Sequence, residues 1–181
     1  MNLTEREREE TVVKAMEQFG EEIKRVIFTY IKNYSAVDDV FQEVFLKVYK
    51  QLHLFRGDSS LKTWIYRIAI NTCKDYLRSF KYRLHSWMQP NVDELTESSV
   101  VREEERQELA ALVLRLPLKY REVLILHYYR DFSVEEIGLI LGSNKNTVKT
   151  RLKRGREKVK EMMMEGGSYF EEGYTFGKQK F

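Results

Sequence analysis

One cysteine in 181 residues excludes an internal disulfide and any multi-cysteine metal site. The three histidines, His53, His85 and His127, are scattered, so no ligand cluster surrounds that thiol, and no metal or other cofactor is expected. No apolar run approaches the ~20 residues that a membrane-spanning helix requires, and no charged-then-apolar leader appears. A soluble, cytoplasmic protein with no membrane insertion is the expectation. Two prolines and nine glycines, without apolar/polar alternation of useful length, argue against strands. There is no Ser/His/Asp set, paired-carboxylate motif or phosphate-binding glycine loop either, so an enzyme is not expected.

What is present is a chain rich in Leu, Glu, Lys and Arg. Its 31 basic and 28 acidic residues nearly cancel, and the net charge of +3 conceals local blocks of each sign. The length suits one domain or two small ones, and the patterning favours two. The predicted fold is all-α: two small helical domains joined by a flexible linker, the second containing a helix-turn-helix.

The first domain is predicted over residues 1–84. Its first firm helix is "EEIKRVIFTYIKNY", where Ile23, Val26, Ile27, Tyr30, Ile31 and Tyr34 share a face; the polar residues 1–10 fray from it or extend it. In "SAVDDVFQEVFLKVYKQLHLF", Ser35 and Asp38 have capping-box spacing. Val40, Phe41, Val44, Phe45, Val48 and Leu52 make the buried stripe of this helix, opposite Asp39, Gln42, Glu43, Lys47 and Lys50. The stretch "FRGDSSLKTWIYRIAIN" is a turn and a helix start near Leu61. Leu61, Trp64, Ile65, Ile68, Cys73, Leu77 and Phe80 then mark a core side, and Arg67, Asn71, Lys74, Arg78 and Lys81 a basic stripe interrupted only by an amide.

Pro90 and a serine pair lie in a polar stretch, so residues 85–105 are predicted to be a linker. The second domain follows over 106–165, with "REEERQELAALVLRL" and "PLKYREVLILHYYRDF" both helical. In "SVEEIGLILGSNKNTVKTRLKRGREKVKEMMM", Ser133 and Glu136 form a capping box, Ile137, Ile140 and Leu141 face inward, and Gly142 ends a short helix. A second helix carries Val148, Leu152 and Val159 inward, with Gly155 where a further inward residue would fall. Short helix, glycine turn and second helix make a helix-turn-helix. The outward face of the second helix is basic, which suits a DNA major groove. Lys145, Asn146, Thr147, Lys149 and Thr150 would lie nearest bases, with Arg151, Lys153, Arg154 and Arg156 nearer phosphates. A solvated basic surface is the plainer alternative for that face. Residues 166–181 form a tail with aromatics at Tyr169, Phe170, Tyr174, Phe176 and Phe181.

Two segments together, "DDVFQEVFLKVYKQLHLFRGDSSLKTWIYRIAINTCKDYLR" and "LPLKYREVLILHYYRDFSVEEIGLILGSNKNTVKTRLKRGREKV", resemble the extracytoplasmic function (ECF) group, the smallest members of the sigma-70 family. The resemblance implies a region 2 domain, a region 4 domain and a dissociable subunit that directs core RNA polymerase to promoter DNA. By the same resemblance, Asp38, Asp39, Gln42, Glu43 and Lys47 would dock on core polymerase. Phe55, Arg56, Asp58, Ser59, Ser60, Asn71, Lys74, Arg78 and Lys81 would take the melted minus-10 strand, with Trp64 and Ile68 left to the core. The basic helix from Lys145 to Arg156 would read the minus-35 duplex. A cognate anti-sigma factor is a further implied partner. Gly155 stands where many relatives carry alanine, and the tail falls outside the resemblance. A stand-alone regulator with the first half as a dimerisation module is the competing reading, and a decoy that occupies polymerase without directing it is a third.

Overall fold

The computed structural model describes residues 4–79 and 109–165. All regular structure among the described residues is helical, and the chain divides into two compact units. The predicted linker, Phe80, Lys81 and the aromatic tail lie outside the described residues.

In the first unit, α1 (Glu5–Ile31), α2 (Tyr34–Gln51) and α3 (Leu61–Arg78) pack against one another in all three pairs. Helix α1 starts much earlier than the apolar stripe from Ile23 suggests. Thr4 caps it reciprocally with Glu7, and the Thr4 hydrogen bonds hold the Glu7 carboxyl below its ordinary value. The helix stops at Lys32, whose left-handed φ of 54° ends the hydrogen-bond ladder. Tyr34 is therefore not the last residue of the α1 stripe. It opens α2, exposed, and stacks on Phe28 with ring centroids 4.3 Å apart.

The cap of α2 also differs from the sequence expectation. Asn33, not Ser35, is the N-cap: its side chain accepts from the Ala36 N–H at 3.2 Å, and the Ser35 hydroxyl donates to Asn33 at 2.7 Å. The Asn amide oxygen takes the Ala36 N–H, two residues before the Asp38 N–H that a Ser35 cap would take. Asn33→Ala is expected to destabilise the first unit by about 1 kcal/mol and Ser35→Ala by much less, as read by urea unfolding. Equal losses, or the reverse order, would return the cap to Ser35.

Helix α3 is buried on more sides than one apolar stripe requires. Ile65, Tyr66, Ile70 and Cys73 are fully buried, with Thr63, Ala69 and Thr72 almost so. Each large side chain removed from water contributes roughly 1.5–3 kcal/mol before entropic costs. The Tyr66 hydroxyl donates to Glu22 at 2.9 Å, which gives its polar end a partner against α1. Burial pushes the Cys73 thiol up to about 12, so the lone cysteine is a packing residue and not a reactive one.

The second unit comprises a helical segment α4 over 109–115, α5 (Leu118–Leu124), α6 (Val134–Leu141) and α7 (Lys145–Glu165). The helix predicted from the sequence to run through residue 132 ends as an α-helix at Leu124. After Leu124 the chain widens into a π turn over Ile125–Tyr129, and Asp131 takes a left-handed φ of 55°. Phe132 then folds back, donating its N–H to the Leu126 carbonyl at 3.0 Å. Val123, Leu124, Ile137, Val148 and Val159 are the buried centre of the unit. Gly155 has its explanation in this core: a Cβ there would lie 3.1 Å from the Leu124 side chain, so glycine lets α5 and α7 approach closely.

Candidate nucleic-acid and polymerase interfaces

The outward face of α2 follows from helical periodicity. Asp39, Gln42, Glu43 and Lys50 are exposed, and Leu46, 58% exposed, sits in the middle of them. The sequence reading passed over Leu46 because leucine in an amphipathic helix reads as core. Its offset from Gln42 and Glu43, four and three residues, was the available signal. Asp38, though exposed, and the half-buried Lys47 are each paired with a side chain from another helix. Asp38 pairs with Lys24 of α1 at 2.8 Å, and that hydrogen bond holds the Lys24 ammonium above its ordinary value. Lys47 reaches Glu43 at 2.8 Å, the buried Thr72 hydroxyl at 3.2 Å and Asp75 at 3.9 Å, tying α2 to α3.

The loop before α3 turns at Gly57, whose φ of 79° suits glycine. Arg56 and Asp58 are exposed beside it, while Ser59 is half-buried. Ser60 is the N-cap of α3, accepting from the Thr63 N–H at 3.0 Å, so its hydroxyl is engaged in holding the helix start. Phe55 packs on Trp64 with centroids 5.4 Å apart and planes tilted by 49°. Trp64, assigned to the core from its stripe, is only half-buried and forms an aromatic pair with the loop. Along α3, Arg67, Asn71 and Arg78 are exposed and Lys74 half-buried, an unbroken stripe with Asp75 on its flank 3.9 Å from Arg78.

In the second unit, Ser133 and Glu136 make both hydrogen bonds of the capping box, and Gly142 ends α6 with a φ of 62°. Asn144 then caps α7, accepting from the Thr147 N–H at 2.8 Å. On α7, Lys145, Asn146, Lys149, Thr150, Lys153, Arg154 and Arg156 are exposed, and Thr147 is half-buried. Arg151 is different. It bonds Glu122 of α5 at 3.2 Å, and Glu122 is 5% exposed, so this arginine braces one helix against the other.

An open cleft of about 500 Å³ lies between the start of α5 and the first turns of α7. Asn146, Thr150, Arg151 and Arg154 line it from α7, and Lys119 and Tyr120 from α5. Burial acts to raise the Tyr120 phenol, but Lys119 and Arg154 around it bring it below its ordinary value. The cleft is cationic with polar donors, a setting for an anionic oxygen. Sequence reasoning missed Lys119 and Tyr120 because "PLKYREV" lies some 25 residues upstream of α7 and only the tertiary packing brings them together. Among the described residues no group of side chains could hold a metal ion, and no helix is long and apolar enough to cross a membrane.

Comparison with known proteins agrees with these two units. The family model for sigma-70 region 2 matches residues 15–82, and that for sigma-70 region 4 matches residues 106–159. The ECF RNA polymerase sigma factor SigW of Bacillus subtilis is 32% identical over 158 residues, covering 80% of this chain and 84% of that protein. The ECF RNA polymerase sigma-E factor of Escherichia coli K12 is also 32% identical over 158 residues, covering 78% of this chain and 81% of the relative. In fold, the chain resembles the sigma factor RpoE in its complex with the anti-sigma factor NepR from Bartonella quintana, with a TM-score of 0.69 at 18% identity, over 83% of this chain and 95% of that one. With both regions matched in order on one chain, and relatives of this identity spanning most of its length, the protein belongs to the sigma-70 family of non-enzymatic transcription initiation factors, as an RNA polymerase sigma factor of the ECF type.

Proposed function

We propose that the two units divide promoter recognition between a melted element and a duplex element, with α2 as the docking helix for core RNA polymerase. The observation that carries this reading is the presence of region 2 and region 4 matches on one chain, the first with a basic stripe along α3 and the second with the exposed basic face of α7. Asp39, Gln42, Glu43 and Leu46 supply an apolar residue ringed by polar ones, which suits a helix-to-helix contact. The loop of Phe55, Arg56, Asp58 and Ser59, with Trp64 behind Phe55, offers a pocket for a base of the minus-10 strand, and Asn71, Lys74 and Arg78 a track for its backbone. Lys81 belongs to the same track by its place in the sequence. Helix α7 enters the minus-35 major groove: Lys145, Asn146, Thr147, Lys149 and Thr150 face bases, and Lys153, Arg154 and Arg156, with Lys119 and Tyr120, hold phosphate. Arg151 joins them at the cleft while remaining bonded to Glu122.

The boundaries of this division are 1–84 for the first domain, 85–105 for the linker and 106–165 for the second domain. The chain performs no catalysis of its own and works in the cytoplasm. Solved structures of similar fold hold the sigma factor RpoE with the anti-sigma factor NepR, and CnrH with the cytosolic domain of CnrY; a protein partner of this kind fits the exposed polar faces of α2 and α7.

Run-off transcription with bacterial core polymerase tests the reading. Chain and core together are expected to start transcripts at discrete promoters that neither uses alone. A folded chain that binds specific duplex DNA unaided and ignores core would instead be a stand-alone regulator.

A further inference from the structure

The two neighbouring acids at the start of α6 have separate tasks. Glu136 is consumed by the Ser133 capping box, whereas the Glu135 carboxylate is turned toward α7 and accepts a hydrogen bond from the Lys145 ammonium. Lys145 is the first residue of α7, at the end expected nearest the bases. The Lys145 hydrogen bond and the backbone N–H of Glu135 itself hold the Glu135 carboxyl below the usual carboxylate range, and Lys149 acts in the same direction. Both side chains are more than half exposed, at 58% for Glu135 and 53% for Lys145. The pair is therefore not needed to cover the core, and it faces the solvent that DNA would displace.

A cation already paired with a carboxylate adds little to phosphate binding, because forming the new contact breaks the old one and brings a negative charge toward the DNA. A base edge offers a different exchange. Guanine O6 and N7 on the floor of the major groove can accept from a lysine, and a carboxylate beside it can accept from cytosine N4. Arbitrary duplex presents the phosphates without the matching edges.

We propose that Glu135 is a specificity-determining residue of the helix-turn-helix, withholding Lys145 from arbitrary phosphates and releasing it where the minus-35 element supplies base-edge acceptors. The inference rests on the minus-35 reading of α7 given above. The pair contributes little to stability because it is exposed, so its substitution leaves the unit folded.

The test uses holoenzyme assembled from core polymerase and the full chain, as wild type, Glu135→Gln, Lys145→Ala and the double variant. Binding is measured across a salt series on promoter duplex and on the same duplex with a scrambled minus-35 element. Glu135→Gln is expected to bind the scrambled duplex roughly 3- to 10-fold tighter at moderate salt, with a salt slope steeper by about one and discrimination reduced to match. Adding Lys145→Ala is expected to remove the gain. If wild type discriminates but Glu135→Gln leaves slope and discrimination unchanged, or if the gain survives in the double variant, the inference is wrong while the minus-35 reading stands. If wild type itself does not discriminate, the minus-35 reading falls and takes the inference with it.

Discussion

Leu46→Glu is expected to weaken binding to core RNA polymerase by about 30-fold or more, since truncated or charged anchors at the centre of an interface typically cost ~2 kcal/mol or above. Leu46 is 58% exposed and lies among Asp39, Gln42, Glu43 and Lys50. A solvated leucine on an otherwise polar helix face contributes little to the fold, so the melting temperature should barely move. Competition binding against a labelled wild-type chain reads the affinity, and a thermal melt reads the fold. Lys47→Ala is the informative contrast. Its ammonium is held by Glu43, Thr72 and Asp75, so it should loosen the α2–α3 contact and act on docking less than Leu46 does. An unchanged affinity for Leu46→Glu would remove α2 from the docking face.

The second large effect separates two arginines one turn apart. Arg151→Ala is expected to destabilise the second unit by about 1–3 kcal/mol, because it strips a charged hydrogen bond from Glu122, which is 5% exposed. The estimate stays below that for a fully buried pair because Arg151 itself is 29% exposed. For a domain of this size, ~1 kcal/mol corresponds to a fall of roughly 4–8 °C in melting temperature. Arg154→Ala should leave the melt nearly unchanged and lower minus-35 duplex affinity, with a salt slope reduced by about one. Chemical unfolding and salt-dependent binding of both variants decide the matter. If Arg151→Ala leaves stability intact while Arg154→Ala lowers it, the brace and the phosphate ligand have been assigned the wrong way round.

Much of the second unit was legible in the chain. Ser133, Glu136 and Gly142 specify the start and stop of α6 through local hydrogen bonds and one left-handed residue, and those interactions do not depend on distant partners. The same locality made the start of α3 at Leu61 readable from Ser60. The errors came where two local signals competed or where the deciding contact was far away in sequence. Asn33 and Ser35 both offer capping oxygens, and only the path of the chain out of α1 selects Asn33. The π turn after Leu124 leaves no mark on an apolar pattern, since widening the helix by one residue per turn alters faces only beyond it.

The sequence by itself determined the all-α class, the two-part organisation and the helix-turn-helix, because periodicity and caps are properties of neighbouring residues, and it carried the family through the resemblance of two ordered segments. The tertiary structure decided which charges are available. Lys145, Arg151, Asp38 and Lys47 look alike in the sequence as exposed polar residues on functional helices, yet each is paired with a side chain from another helix, Glu135, Glu122, Lys24 and Thr72 with Asp75. A charge has reach in space but no periodicity in sequence, so its partner becomes visible only when the helices are packed. The same packing half-buries Trp64 against Phe55 and leaves Leu46 in water, reversing what hydrophobicity alone would assign to each.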